Sequence, residues 1–473
     1  MKCTPILLLP VLLAGCAWLA PTYYRPQMPM PDKWGTQQAA TVPDGGEWWR
    51  SYGDPVLDAL VAEALKNNDD LALAGAKLQQ ARAQYKYAFA NQLPSISVAG
   101  SDAYGRLHLH DDLPVAHKMS NLGFVGGMLN YEADFWGKNA SLSKAAKAGV
   151  KAADYGHAAA RLSIAAATVK LYFSLRALDR QREILQQTIE TQTALLALVQ
   201  RQHEVGAVDA LVVQNVTEQR DAAQAALPDV EDQRGKAESA LAVMLGRSPQ
   251  QIIGQIMERG RDIDALAIPI PTPPEIPSTL LERRPDIAMH EQTLIASNFN
   301  IGFARAAYFP TISLASLAGV NNIDIDNLYR ATTRSWTLAA SMAAPVMDFG
   351  RTSSGVKLAK AEKNEQVILY KQSIHTAFRE VHDALLEQNN AHEREQGDGD
   401  KETAAEKTVE LTRLRLEHGY SSRLDVLSAQ VLAQQAELAH TTALLSSLDA
   451  SVDMYRAIGG GFDTRAPQDR KQK

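Results

Sequence analysis

"AAYFPTISLASLAG", Ala306 to Gly319, starts as a helix would, meets Pro310, and continues with Ile312, Leu314, Ser316 and Ala318 alternating against small residues. Alternation with a period of two is a strand signal, and a proline pushes the residue before it out of the helical region. About 216 residues earlier, "FANQLPSISVAG", Phe89 to Gly100, carries the same Pro-x-Ile-Ser core. Asp70-Leu71 matches Asp286-Ile287, Asp134-Phe135 matches Asp348-Phe349, and Gly206 matches Gly419, with the offset drifting only from 216 to 213. A helix-to-strand break in duplicate is an internal repeat, and the repeat defines the architecture.

On either side of each break the chain reads as helix. Leu57, Leu60, Val61, Ala64, Leu65, Leu71, Ala74 and Leu78 keep helical spacing up to about Asn91. No proline occurs from Val115 to Leu227 or from Val346 to Ala466, stretches rich in Ala, Leu, Gln and Glu, so these build long helices. Ile164, Thr168, Leu171, Leu175, Leu178, Arg182, Leu185, Ile189, Gln192, Leu196 and Val199 form one seam with steps of three and four. Leu424, Leu427, Val431, Gln434, Leu438, Thr441, Leu445, Leu448, Val452 and Tyr455 form another, as in a left-handed coiled coil. A helix from Lys138 to Glu204 would be roughly 100 Å long at 1.5 Å per residue. Gly206 and Gly419 end the long segments, and Leu211 and Leu424 open return helices, which makes two tight helical hairpins. Gly397 and Gly399 cost a helix about 2 kcal/mol together, and a break or bulge is expected there.

These signals divide the chain into a signal peptide at 1–15, an N-terminal arm at 16–52, a first repeat at 53–268, a second at 269–462 and a flexible tail at 463–473. In the first repeat the strands are expected at about 95–110 and 121–136 and the hairpin at about 138–245. In the second they are expected at about 311–323 and 334–349, and the hairpin at about 351–457. The Pro-rich "IPIPTPPEIP", Ile268 to Pro277, links the two. Pro21, Pro26, Pro29, Pro31, Pro43, Trp48 and Trp49 give the arm an extended reading.

The N-terminus sets the compartment. Met1-Lys2 is a short positive region, and the apolar run Ile6 to Leu13 is too short to span a bilayer as a helix. Leu13-Ala14-Gly15-Cys16 resembles the bacterial lipobox, which makes Cys16 the lipidated mature N-terminus and its covalent lipid the only attached group. Ala17, not Asp, follows Cys16, and by the lipoprotein-sorting pattern this favours the outer membrane. Cys3 is removed with the leader, so no intrachain disulfide forms.

In the second strand Leu129, Tyr131, Ala133 and Phe135 alternate with Asn130, Glu132 and Asp134. Such alternation fits a transmembrane barrel strand and equally a soluble antiparallel sheet with one wet face. If the strands lie in lipid, four per chain cannot close a barrel, and several chains must pool them.

"WWRSYGDPVLDAL", "LLERRPDIAMHE", "ARAAYFPTISL", "PVMDFG", "RLDVLSAQ" and "YRAIGGGF", in this order from Trp48 to Phe462, together resemble the outer-membrane factor family of tripartite efflux pumps, the TolC/OprM type, in its lipoprotein, NodT-like branch. The resemblance implies a mainly α fold with a transmembrane β part: a homotrimer with a 12-stranded β-barrel in the outer membrane, continuous with a coiled-coil α-helical barrel in the periplasm. It implies a passive exit duct for drugs or other small toxic compounds. Its partners would be a periplasmic membrane-fusion adaptor, an inner-membrane efflux transporter and outer-membrane lipid. In the family, aspartates in the "RLDVLSAQ" motif ring the periplasmic constriction, which points to Asp425. Arg423 is a candidate latch partner by proximity alone. Ser428 and Val212 stand where a further acidic residue is found in the family pattern. An aspartate in the first turn of a helix is also favoured by the helix dipole alone.

The net charge of -6 and the lack of a long basic block speak against nucleic acid as a partner. No nucleotide loop, zinc-protease motif or nucleophile elbow occurs, and an enzyme is not expected. His108, His110, Asp111 and Asp112 fall in a loop between strands and read as solvated polar residues, with no metal expected. Asn321 to Asp326 reads likewise, for it lacks the glycine and glutamate of an EF-hand loop. Two other readings compete with the efflux duct: a periplasmic coiled-coil lipoprotein scaffold and a conduit of the same fold for protein secretion.

Overall fold

The protein is described from a computed structural model, which covers residues 19–31, 46–106, 119–254, 257–271, 277–322 and 334–462. The expected signal peptide, Cys16, the His108–Asp112 cluster, most of the Asn321–Asp326 stretch and the tail lie outside the described residues.

Helices α1 (Pro55–Asn67) and α2 (Asp69–Ala90) lead into β1 (Ser95–Arg106) and β2 (Met119–Ala133), then into the long α3 (Lys138–Glu204) and its return α4 (Ala210–Met244). The second repeat follows the same order: α5 (Pro285–Ala306), β3 (Thr311–Asn322), β4 (Arg334–Ala343), α6 (Arg351–Glu417) and α7 (Arg423–Ala457). Each long helix has 67 residues and each return helix 35, so the duplication read from the prolines holds element by element.

Two compact units divide the chain. The first takes residues 1–27, 77–154 and 289–371. Its four strands form one antiparallel sheet in the order β1-β2-β3-β4. The two repeats join where Gly126 pairs with Gly319 and Leu129 with Ser316. Trp136 donates its indole N–H to the Pro310 carbonyl at 2.7 Å and stacks on Phe309 with centroids 4.7 Å apart, so the proline that opens β3 also anchors the turn after β2. Within the same unit residues 19–27 lie along α5. Arg25 makes two 2.7 Å bonds to the Glu291 carboxylate, Tyr23 donates to it at 3.1 Å, and Asn298 donates to the Pro21 carbonyl.

The second unit, residues 28–76, 155–288 and 372–473, is helical. Its core brings together Trp48, Tyr52, Leu57, Val61, Tyr172, Phe173, Leu241, Leu448 and Tyr455. Trp48 stacks on Tyr455 at 5.0 Å, and the Tyr52 hydroxyl meets Ser451 Oγ at 2.7 Å. Asp54 caps α1 through Val56 N–H and is itself buried, taking Tyr172 O–H at 2.5 Å and Arg261 N–H at 3.0 Å. Arg284, also buried, bonds Asp286, Glu380 and the Ala457 carbonyl at the end of α7. Gly459 has φ 91°, and a side chain there would strike the Arg283 carbonyl. Three motifs far apart in sequence thus meet around the C-terminal end of α7.

Four expectations need correction. Trp48 and Trp49 do not belong to an extended arm: Trp48–Tyr52 is a 3-10 turn with both indoles buried, because two such rings cover far more apolar area than the neighbouring prolines and glycines forgo. The second strand stops at Ala133, not about 136, since Asp134 turns back to cap α3 by accepting Ala140 N–H at 2.7 Å. The fourth stops at Ala343, not about 349, as Pro345 lacks a donor and Asp348 accepts the Gly350 and Thr352 N–H groups. Finally, α6 runs unbroken through Gly397 and Gly399. A Cβ on Gly399 would lie 3.3 Å from His440 Nε2, so close packing of α7 holds the helix that propensity alone would interrupt. His440 Nδ1 pairs with Glu402 across the same contact.

Candidate functional site

Both hairpin tips lie in the helical unit. At the first, Gly206 has φ 76°, its N–H bonds the His203 carbonyl at 2.9 Å, and Ala207 N–H reaches back to the Gln202 carbonyl at 2.8 Å. At the second, Gly419 has φ 78°, its N–H bonds Leu416 at 3.0 Å, and Tyr420 N–H bonds Arg415 at 2.8 Å. Glycine adopts the left-handed conformation without a Cβ penalty, and the paired bonds satisfy the last carbonyls of α3 and α6. Leu195, Leu196 and Val199 of α3, Val216 of α4 and Leu427 of α7 form one buried cluster, joined by Leu424. The two tips therefore stand side by side.

Asp425 lies in the first turn of α7 and is exposed. Its Oδ2 accepts from Ser422 N–H at 2.8 Å, Ser422 O–H at 2.8 Å and Ser421 O–H at 3.0 Å, while Asp425 N–H donates to Ser422 Oγ. The backbone N–H of Ser422, then the Ser422 and Ser421 hydroxyls, hold this carboxyl below its usual range. Among the described residues the hydrogen bonds of Asp425 go to Ser421 and Ser422 and not to Arg423, so no latch between the two forms within one chain. The helix-start role weighed from the sequence is therefore present, and it fixes the carboxylate at the tip in ionised form.

Sequence comparison of the repeats missed a second acid. Val212 aligns with Asp425, but Asp209, three residues earlier, aligns with Ser422 and caps α4 by accepting Val212 N–H at 3.1 Å. Asp209 is exposed beside the turn. The signal was readable: an aspartate three residues past a left-handed glycine, ahead of a helical run, is a strong N-cap pattern. Each chain thus presents two carboxylates at adjoining tips, one as N-cap and one inside a capping box.

The sheet supplies the other functional surface. Ile96, Val98, Trp336, Leu338 and Met342 are 70–83% exposed. Register places them on one face, with Val98, Gly127, Ala318 and Trp336 in one row and Ile96, Leu129, Ser316 and Leu338 in the next. The opposite face carries Ser95, Ser97, Ala99, Thr311, Ser313, Ala315, Thr337 and Ser341. Water strongly disfavours such a broad apolar face, and a bilayer accepts it.

A membrane sheet with one apolar face, drawn from two repeats that each carry a long helical hairpin ending in an acidic tip, defines an outer-membrane conduit. The family model described as outer membrane efflux protein matches residues 60–247 and 276–460, and the chain belongs to that family. It is 31% identical over 465 residues to outer membrane protein OprJ of Pseudomonas aeruginosa, covering 97% of this chain and 95% of OprJ. It is 28% identical to the probable outer membrane lipoprotein SilC of Salmonella typhimurium over 95% of this chain and 97% of SilC. Its fold superposes on the CmeC outer membrane channel of Campylobacter jejuni with a TM-score of 0.85 at 25% identity, over 95% of this chain and 96% of CmeC. The protein is an efflux channel of the outer membrane, and the expected fold class, four strands per chain toward a trimeric twelve-stranded barrel and long coiled-coil hairpins, is that of its family.

Proposed function

We propose that three copies close one barrel and act as the passive exit duct of a tripartite pump, receiving cargo from a periplasmic adaptor and an inner-membrane transporter. The observation that carries this is the open sheet. With the order β1-β2-β3-β4, both β1 and β4 are edges, beside an apolar outer face. Unpaired edge groups cost several kcal/mol each in hydrocarbon, so β4 of one copy must pair with β1 of the next. Threefold closure satisfies every edge. Drugs and other small toxic compounds are the proposed cargo, and no chemical step is needed for it. A lipid on Cys16 holds the N-terminus at the membrane. Residues 19–27 lie along α5 toward the start of β3, where Arg305 bonds the Leu19 carbonyl, and this favours an anchor beside the barrel. Asp425, with Asp209, rings the periplasmic constriction, and Arg423 serves as a latch toward a neighbouring copy.

Native mass spectrometry of the detergent-extracted protein tests the assembly: three chains, each carrying a lipid, are expected. A monomer that retains full strand content would contradict the closure. Cys16→Ser should leave unprocessed or mislocalised protein, and unchanged palmitate labelling of that variant would rule out the anchor. Loss of the gene should lower the tolerated concentration of toxic compounds, restored by the wild-type chain.

A further inference from the structure

The face of the sheet opposite the apolar one has one row without relief. Ala99, Gly126, Gly319 and Ser335 pair across all four strands. The two glycines sit directly opposite each other, and the backbones come close: a Cβ on Gly126 would lie 2.8 Å from Gly319 Cα and 2.7 Å from the Ala318 carbonyl oxygen. Phe124, two residues before Gly126 and so on the same face, covers this gap. Its Cζ stands 2.6 Å from where a Gly126 Cβ would be, and its Cε2 2.9 Å from that of Gly319. A ring laid over a cross-strand glycine restores apolar contact that the missing side chains would have made. The ring therefore lies along the sheet and does not stand out from it.

We propose that Phe124, seated on the Gly126–Gly319 pair, is a bore-setting residue of the duct: one ring from each subunit forms an aromatic belt folded flat against the inner wall at membrane level, and the glycines keep it flat. This rests on the trimeric barrel proposed above. The belt interrupts a wall otherwise made largely of Ser, Thr and Ala, with Met128 and Leu317 paired in the next row. A side chain at either glycine would meet both the ring and the facing backbone, a Cβ on Gly319 lying 2.4 Å from the Val125 carbonyl oxygen and 2.6 Å from Gly126 Cα. The ring is the part free to move, and it would turn toward the axis. Bulky cargo would then be hindered more than small cargo. The determinant is steric and needs no charged group.

The test uses Ser95→Cys, on the same face and on the helical side of the belt, in whole cells. Membrane-impermeant thiol reagents of increasing size are added outside, so they pass the belt before reaching the reporter. In the reporter alone, small and bulky reagents should both label. Adding Gly319→Ala should slow the bulky reagent several-fold and leave the small one little changed. Adding Phe124→Ala to that variant should restore bulky labelling, since the obstructing ring is gone. If the double variant stays slow, backbone distortion and not the ring is responsible, and the proposal falls. Should Gly319→Ala fail to assemble, Phe124→Cys decides instead: its thiol should react with an impermeant reagent from outside, whereas Val125→Cys, on the lipid face, should not. A reactive Val125→Cys with a silent Phe124→Cys would invert the faces and overturn the belt. Native mass spectrometry of each variant separates these outcomes from loss of the trimer.

Discussion

At the scale of single residues, buried carboxylates tell opposite stories about pH. Asp449 of α7 has an Oδ1 with no hydrogen-bond partner among the described residues. Burial, then Asp453, pushes its carboxyl up to about 6, although Lys170 pulls it down. A raised carboxyl pKa means that the folded state holds the proton more tightly than the unfolded chain, so stability falls as pH rises from about 4 through about 6. Asp449→Asn should stabilise the protein at pH 8, by up to about 3 kcal/mol, seen as a higher thermal midpoint in detergent, and have little effect at pH 4. Asp179 is the reverse case. Burial pushes its carboxyl up, but bonds from Arg259 and Arg234 outweigh that and hold it below the usual range. Its contribution is present above the ordinary aspartate pKa and is lost as pH falls through the lowered one. Asp179→Asn should cost about 3 kcal/mol at pH 7, because it leaves Arg176, Arg234 and Arg259 around an uncharged amide, and the deficit should vanish in strong acid. A deficit of equal size at all pH values would mean that packing, not charge, is at stake. Neither role was legible in the sequence. Both depend on which partners the fold brings to a carboxylate, and aspartates inside long helices look alike on paper.

At the scale of elements, the long hairpins were legible because their signals are local and repeated. Heptad steps, absent prolines and a glycine after each long helix act over a few residues at a time. Of the α7 seam Leu427, Val431, Thr441, Leu448, Val452 and Tyr455 are buried, and none of its members is exposed. Pro228 was tolerated inside α4 at an exposed position, where a freed carbonyl meets water. Gly397 and Gly399 misled because propensity sees one helix and packing sees two. They should now separate by experiment. Gly397 has nothing within 4 Å of an added Cβ, so Gly397→Ala should stabilise α6 by up to about 1 kcal/mol. Gly399 faces His440, so Gly399→Leu should push α7 away and cost about 1–3 kcal/mol. Thermal midpoints of the two variants moving in the same direction would contradict the close approach at Gly399. The acidic tip was half legible. Asp425 could be read from its motif. Asp209 carried a readable N-cap signal, but matching the repeats position by position passes over it, because they place their acids three residues apart, one at the cap and one within the box.

At the scale of the whole molecule, duplication supplies two strand pairs and two hairpins per chain, and threefold closure multiplies both. The barrel then has no free edge, and in the proposed trimer the paired tips of the three chains form the periplasmic constriction. At the proposed constriction the carboxylates of Asp209 and Asp425, fixed by their capping bonds, would repel one another, and a bound multivalent cation would relieve that repulsion. The most direct measurement is single-channel recording of the purified protein in a planar bilayer, with a trivalent cation added on the periplasmic side. Wild type should show low conductance and clear block, Asp425→Ala weaker block with modestly higher conductance, and Asp209→Asn combined with Asp425→Ala almost none. Equal block in all three would place the constriction away from the tips and leave both aspartates as helix caps alone.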